Sequence, residues 1–242
     1  ELEAEFEKIK DDRAKATRLL RSQQSKKIAA SDEQRSDIGG LGEETEDSAG
    51  CENDPYDLLE PVDILGKLPK DFYTQLEAKK WIERKESLEH LEKTLAAIPK
   101  LESGDYGDLI RALKKIIVKD SNVAVIAGSI KCITGLANGL KKKFHPYAGL
   151  MLASLLEKFK EKKQNIVIPL REAVDAIYPS TSLELMLEDI LAALDNKNPS
   201  VKAETVSFVA RCFTKCTPTV LNKKLLKALT PALLSTLSSS GK

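Results

Sequence analysis

Aromatic residues are scarce in this sequence. Phe, Trp and Tyr together make up 5% of its 242 residues, and Trp81 is the single tryptophan. Leu, Ile, Val, Ala, Lys and Glu dominate instead, which favours helices packed through aliphatic side chains over aromatic-rich strands. The hydrophobic fraction of 42% suffices for a buried core. We therefore expect an all-α fold.

Cysteine is too rare for a secreted disulfide framework. Cys212 and Cys216 are spaced to share one helix face, but a structural zinc site needs four ligands and the histidines are distant in sequence. We expect buried structural thiols and no metal. The four cysteines are Cys51, Cys132, Cys212 and Cys216.

Residue patterns for catalysis are also missing. His90 and His145 are the only histidines, and neither has a Ser, Cys or carboxylate arrangement that indicates a nucleophile or a general base. The sequence contains no phosphate-binding loop and no Gly-rich dinucleotide fingerprint. We expect neither an enzyme nor a bound cofactor.

Uninterrupted apolar runs of the roughly 18 residues that cross a bilayer are absent, and the amino end is charged, unlike a signal peptide. We expect an intracellular protein without a membrane partner. The sequence does not begin with Met, so we expect it to be part of a longer chain.

Charge is distributed unevenly along the chain. Residues 31–63 carry twelve acidic residues and one arginine, whereas residues 64–242 have a net charge of +10. A basic globular part favours an acidic partner, whether protein, nucleic acid or lipid headgroup. Basic segments such as residues 140–144 lack interleaved aromatic residues, so the signal for nucleic acid is weak and we expect no such partner.

Composition divides the chain into three parts. Residues 1–27 predict a charged helical segment, residues 28–54 an acidic linker rich in Gly and Ser, and residues 55–242 a helical domain. Turn signals within the third part separate apolar-periodic stretches. These stretches predict helices near 70–79, 81–98, 105–119, 122–143, 146–161, 164–178, 182–195, 199–216 and 220–237.

The helices form pairs that repeat. The second helix of each pair aligns at residues 81, 123, 166 and 201, with offsets of 42, 43 and 35 residues. This period is typical of two-helix repeats of the HEAT or armadillo type. Because each pair stacks on its neighbours, we expect a flat α-solenoid with the turns inside the pairs along one edge.

Every turn at this edge contains lysine. The row of positive charge indicates a binding surface for an acidic partner. Alternatively, the lysines complement helix macrodipoles, and Asn122 and Asn165 cap the helices that follow. The candidate site residues are Lys79, Lys80, Trp81, Lys119, Ser121, Asn122, Val123, Lys162, Lys163, Gln164, Asn165, Asn196, Lys197, Asn198 and Lys202.

Trp81 has two interpretations. It stands seven residues before Leu88, on the stripe of apolar residues that a helix here would bury. Arg84 and Lys85 interrupt that stripe, so the pattern leaves open a core plug or an exposed anchor of the kind common at interfaces. Burial is favoured for the residues that start the other second helices: Val123, Ile166 and Val201.

Six segments carry a resemblance to a known family: residues 54–73, 77–89, 112–123, 155–167, 170–178 and 196–205. With them, residues 55–237 resemble the second TOG domain of the Mini spindles and colonic hepatic tumour overexpressed protein family of microtubule polymerases. Residues 6–24 are similar to the segment that follows the first TOG domain in such proteins. In this family a fifth turn and a final helix follow, so we expect the last repeat to be truncated here.

The resemblance implies a HEAT-repeat paddle whose turns bind curved αβ-tubulin, with Trp81 presented by the first turn. It implies a monomer that acts at microtubule plus ends with neighbouring TOG domains. It also implies a location in the cytoplasm, on the cytoskeleton, at the spindle and its poles and at the centrosome. A generic HEAT or armadillo scaffold, binding an acidic peptide or transport client along a helix-lined groove, is the alternative.

Overall fold

The computed structural model describes residues 55–217 and 221–239, with side chains described as far as residue 236. All of them belong to the second of two units in the chain, Glu52–Lys242. The predicted helical segment 1–27 and linker 28–54 lie outside the described residues, so these domain boundaries stay predictions.

Helices account for nearly all regular structure in the described ranges, and the only β contact there is one isolated parallel bridge between Val62 and Leu101. Short 3₁₀ turns cover Lys141–Phe144 and Tyr178–Ser180. The α-helices are α1 (Phe72–Leu76), α2 (Trp81–Ala97), α3 (Gly107–Lys119), α4 (Val123–Leu140), α5 (His145–Lys158), α6 (Gln164–Ile177), α7 (Leu187–Leu194), α8 (Pro199–Lys215) and α9 (Lys223–Ser239).

The helices stack in two layers. One layer consists of α2, α4, α6 and α8, and the other contains α1, α3, α5, α7 and α9. Each helix from α2 to α9 packs on its neighbours along its own layer and on the other layer, while α1 packs on its pair partner α2. The layers enclose a continuous core of aliphatic side chains, among them Leu91, Ile117 and Leu155 at 0% exposure. The predicted all-α fold with paired helices is confirmed.

Two opposite edges follow from this arrangement. The turn edge contains the connections inside the pairs, near residues 79–81, 119–123, 162–165 and 195–199. The far edge contains the connections between pairs, near residues 98–106, 141–145 and 178–186, together with residues 216–217 and 221–222. The segment before α1 packs on the far edge, where the Tyr56 hydroxyl donates a hydrogen bond of 2.7 Å to the carbonyl of Gly139.

Three predicted helix bounds need correction. The first helix is only Phe72–Leu76, and the region predicted as 182–195 is helical only over Leu187–Leu194, after a series of turns. The predicted helix 122–143 ends at Leu140 because Lys141 adopts φ 47°, a conformation that an α-helix does not tolerate.

The stretch Val123–Lys158 meets the length and composition of a membrane span, although Lys131 and Lys141–Lys143 interrupt its apolar residues. It includes a window with mean hydropathy 1.5 that is long and apolar enough to cross a bilayer on length and composition alone. In the fold 56% of that window is buried, as in a central core helix.

Glycines on α4 allow α2 and its following loop to approach closely. A Cβ atom on Gly135 would lie 2.9 Å from Cβ of Leu95, and one on Gly139 would lie 2.6 Å from Cγ of Leu101. Both distances are shorter than carbon atoms tolerate, so these positions depend on the absence of a side chain.

We predict that Gly139→Ala destabilises the domain by about 1–3 kcal/mol, the usual cost of overpacking, despite the better helix propensity of alanine. Gly149→Ala is the matched control, since nothing lies within 4 Å of its added Cβ; it should stabilise by about 0.5–1 kcal/mol. Thermal melts followed by circular dichroism measure both. Equal melting temperatures for the two variants would contradict the close packing.

Candidate protein-binding edge

A groove of about 810 Å³ opens at the turn edge and gathers residues from the first three turns. Its lining brings together Trp81 from the start of α2, Asn122 from the start of α4 and Gln164 from the start of α6. Six candidate residues predicted from the sequence meet there: Trp81, Ser121, Asn122, Val123, Gln164 and Asn165.

The groove exists because α4 presents small residues between two bulkier helices. Ala124, Ala127 and Gly128 form part of its lining, flanked by Lys85 of α2 and Ile168 of α6. These residues were not predicted as site components from the sequence. Their signal was the spacing of small residues on one face of α4, at Ala124, Ala127 and Gly128, but only the packing of α2 and α6 on either side makes a groove there.

Trp81 is the first residue of α2 and is 44% exposed. The leucines further along the same helix, Leu88, Leu91 and Leu95, are buried. The core therefore ends before the first turn of α2, as the interruption at Arg84 and Lys85 indicated. The structure disagrees with the core-plug interpretation and leaves the indole accessible at the mouth of the groove.

The other helix starts divide between core and surface. Ile166 and Val201 are buried at 0% and 1% exposure, while Val123 is half-buried against the core. Asn122 caps α4, its side chain accepting from the amides of Ala124 and Val125.

The prediction that Asn165 caps a helix is wrong. Asn165 is the second residue of α6, and the N-cap position is occupied by Lys163. At the fourth turn the cap is Asn198, which accepts from the amide of Ser200 at 2.9 Å.

A largely buried ion pair joins the first two turns. Arg84 Nε lies 2.8 Å from Asp120 Oδ2, with side-chain exposures of 15% and 7%. Arg84 Nη1 also donates to the carbonyls of Ala78 at 2.7 Å and Lys79 at 3.1 Å. On the other side, Asp120 Oδ1 accepts from the amide of Asn122 at 2.8 Å. One guanidinium thus holds the backbone of the first turn against the carboxylate that shapes the second.

Six of the seven candidate lysines are exposed and Lys202 is half-buried, and the position of each relative to a helix end determines its local effect on stability. Lys119 is the last residue of α3, where a cation complements the macrodipole. Lys80 and Lys163 occupy the N-cap positions of α2 and α6 and make no capping hydrogen bond. Lysine is a poor cap, and a cation there faces the positive end of the helix dipole. The macrodipole interpretation therefore fails for these two residues.

Few of the edge lysines are neutralised. Lys80 lies 3.5 Å from Glu83 at an exposed site. Among the described residues, none forms an ion pair with Lys79, Lys119 or Lys163. The edge carries available positive charge.

The fourth turn stands apart from the groove. Asn196, Lys197, Asn198 and Lys202 do not line it. An ion pair between Arg171 of α6 and Glu204 of α8, with N–O distances of 2.6 and 2.7 Å, nevertheless ties the fourth pair to the third at the same layer. The structure therefore gathers the first three turns in one groove and places the fourth beside them.

The three thiols within the described residues, Cys132, Cys212 and Cys216, do not line the groove. Cys132 and Cys212 are buried, and Cys216 Sγ lies 2.8 Å from the Tyr178 hydroxyl. Across residues 55–217 and 221–239, no group of three or more His, Cys, Asp or Glu side chains could hold a metal ion.

Repeated helix pairs, two layers and an exposed edge of turns define a helical-repeat solenoid domain. The sequence profile of the family XMAP215/Dis1/CLASP, TOG domain, matches residues 67–240. The chain belongs to this family.

Two relatives whose names refer to the spindle match most of this chain in sequence. The chain is 56% identical over 239 residues to Protein mini spindles of Drosophila melanogaster, covering 98% of the chain and 12% of that protein. It is 34% identical over 217 residues to Spindle pole body component alp14 of Schizosaccharomyces pombe, covering 90% of the chain and 27% of that protein. The chain thus spans a small part of each relative.

Two solved structures also match the fold of this chain. A chain from a study of microtubule plus-end tracking by XMAP215, CLIP-170 and EB1 superposes with a TM-score of 0.73 at 62% identity, covering 75% of each chain. A second, from a study of tubulin recruitment by microtubule polymerases with TOG domain arrays, has a TM-score of 0.70 at 33% identity. It covers 75% of this chain and 39% of the other. These matches confirm the predicted HEAT-repeat fold and the resemblance to TOG domains.

We predict that Arg84→Ala destabilises the domain by about 3–5 kcal/mol, because it leaves the buried Asp120 carboxylate without its partner. Arg111→Ala is the control: its ion pair with Asp108 has side-chain exposures of 63% and 82%, so the free energy of unfolding should stay unchanged. Urea unfolding compares the two. Equal stability of both variants would show that Arg84 does not hold the turns together.

Buried thiols should resist alkylation in the folded domain. Burial raises the pKa of Cys132, and burial with the nearby Asp175 carboxylate raises the pKa of Cys212 to about 12. Both thiols therefore stay protonated at pH 8, and only the thiolate reacts. Iodoacetamide treatment followed by mass spectrometry should leave both unmodified in the native protein and modify both in urea. Rapid native alkylation of either residue would contradict this assignment.

Proposed function

We propose that this domain binds the αβ-tubulin heterodimer through its turn edge and performs no covalent chemistry. The observation that supports it most directly is the combination of an accessible tryptophan with uncompensated lysines on adjoining turns. Exposed aromatic anchors surrounded by charge are typical of protein interfaces, and the lysines suit an acidic surface such as that of tubulin.

The unfavourable positions of Lys80 and Lys163 strengthen this interpretation. Residues that are unfavourable for local stability, as lysine is at an N-cap, and that have no structural compensation tend to mark functional sites. Ser, Thr, Asn or Asp at these N-caps would stabilise α2 and α6. Keeping lysine there is explained if the charge acts on a partner.

Related proteins point to the same partner. The second solved structure described above comes from a study of tubulin recruitment by TOG domain arrays. We infer that the turns favour the curved, unpolymerised dimer over the straight lattice form, so that a captured subunit is released on straightening. The parent protein would then promote growth at microtubule plus ends together with neighbouring TOG domains, the domain itself remaining monomeric.

The location follows from the same proposal. Tubulin-dependent function places the protein in the cytoplasm and on the microtubule cytoskeleton. The names of the two relatives refer to the spindle and the spindle pole body. We extend this to the spindle, its poles and the centrosome for this protein.

Replacing Trp81 by Glu should abolish tubulin binding with the fold intact. An exposed substitution usually costs less than about 0.5 kcal/mol of stability, so the melting temperature should stay within a few degrees of the parent. Loss of a binding hot spot raises Kd at least about thirtyfold. Gel filtration with unpolymerised tubulin measures binding.

Leu185→Glu is the matched control for Trp81→Glu. Leu185 is 65% exposed at the far edge, so a carboxylate there should leave co-elution with tubulin unchanged. A stable Trp81→Glu variant that still co-elutes would refute the anchor assignment. Loss of binding in both variants would point to a nonspecific charge effect.

Lys80→Ser/Lys163→Ser should stabilise the domain and weaken tubulin binding at once. Serine supplies the missing cap, worth about 0.5–1 kcal/mol per helix, while two positive charges leave the edge. Lys142→Ser/Lys143→Ser is the control with the same change of charge, since both lysines are exposed in the far-edge 3₁₀ turn.

Binding of the lysine variants is measured as Kd at several salt concentrations. The edge variant should show a higher Kd and a weaker salt dependence, and the far-edge variant should match the parent. If the edge variant binds like the parent, an acidic partner does not use these turns. Binding determinants on the helix surfaces, as in a peptide-binding scaffold, would then be favoured.

A further inference from the structure

The groove extends well beyond the turns. On α2 its lining runs from Trp81 to Glu92, eleven residues or about 16 Å at the helical rise of about 1.5 Å per residue. On the other side it follows α6 from Gln164 to Pro169. The recognition surface therefore includes helix faces that a binding edge made of turns alone would not use.

The chemistry changes from the mouth of the groove inward. At the mouth, the lysines of the turns carry available charge. Inside, the cations are already paired: Lys85 lies 2.8 Å from Glu89, and Lys131 lies 3.1 Å from Glu92. A charged group of a partner would have to displace one of these pairs, so the interior favours an uncharged group.

Apolar surface is available inside the groove. Ile168 is 50% exposed on α6 and faces the groove lined on its other side by Trp81, which is 44% exposed. Between them the lining includes the small residues Ala124, Ala127 and Gly128. Two large exposed hydrophobic side chains beside these small residues leave room within the groove for an apolar side chain.

We propose that this groove receives an apolar side chain that projects from the acidic tubulin surface engaged by the turn lysines. The inference rests on the tubulin-binding function proposed above, and it adds a second, apolar component to that contact. The groove is continuous with the lysine-bearing turns, so one partner surface reaches both. Its occupant is an aliphatic or aromatic side chain with acidic groups around it on the partner.

The two components make different contributions. The lysines attract the acidic surface and are screened by salt. Burial of the apolar side chain is insensitive to moderate salt and acts on the dissociation rate. Filling the groove should therefore weaken binding by the same factor at low and high salt.

Ala124→Trp tests the groove directly. Ala124 is exposed at the start of α4, and it uses its backbone amide, which the substitution retains, for the Asn122 cap. The indole would occupy the groove without altering Trp81 or any lysine. Ala210→Trp is the control, because Ala210 is exposed on α8 and does not line the groove.

Kd for fluorescently labelled unpolymerised tubulin is measured by polarisation at two salt concentrations, alongside melting temperatures. Ala124→Trp should raise Kd at least about tenfold at both salt concentrations, with Ala210→Trp like the parent. Ile168→Ser is a second variant that removes apolar surface instead of filling space, and it should weaken binding in the same salt-independent way. It covers the case in which Ala124→Trp fails to fold.

Three outcomes overturn the proposal in distinguishable ways. If folded Ala124→Trp and Ile168→Ser bind like the parent while Trp81→Glu does not, the groove has no role and the tubulin-binding function stands. If the parent domain does not bind tubulin, both proposals fail. If sedimentation shows a dimer of the domain alone that Ala124→Trp dissociates, the occupant is a second copy of this chain.

Discussion

Close packing of α2 on α4 is the constraint on which the rest of the domain depends. Gly128, Gly135 and Gly139 lie under Leu88, Leu95 and Leu101, and at the last two an added Cβ would overlap its neighbour. Helix α4 also packs on α3 and α6, so its position sets the spacing of both layers. Ala124 and Ala127 near its start continue this surface of small residues to the turn edge, where they form part of the groove lining.

Electrostatic interactions then position the turns on this framework. Arg84 and Asp120 are nearly buried, and their shared hydrogen bonds determine the backbone of the first two turns. The exposed lysines nearby have the opposite character, since they are solvated and available. The buried pair determines the geometry of the turns, because an ion pair removed from water is strong only when its partners are held together. The exposed lysines are the part of the edge that we propose contacts a partner.

The chain belongs to the TOG domain family. The chain spans 12% of the length of the Drosophila relative. Under the proposed function, the row of turns would contact a broad surface and the groove would receive a single protruding side chain. Together they would combine charge-driven encounter with shape-dependent retention of one partner.

Composition predicted the all-α class. Apolar periodicity predicted the helix pairs and most helix starts, because apolar spacing reports directly which face of a helix is buried. It did not predict the end of α4 at Lys141, where a local backbone conformation interrupts an otherwise helical pattern. The lysines and Trp81 were recognisable as candidates, but their status was open. The predicted helix starts at 81 and 164 already put Lys80 and Lys163 at N-cap positions, and only the end of the core decided that Trp81 is exposed. The groove beside Ile168 arises from how three helices align in space. Contacts between residues some forty positions apart form it, and no local pattern encodes them.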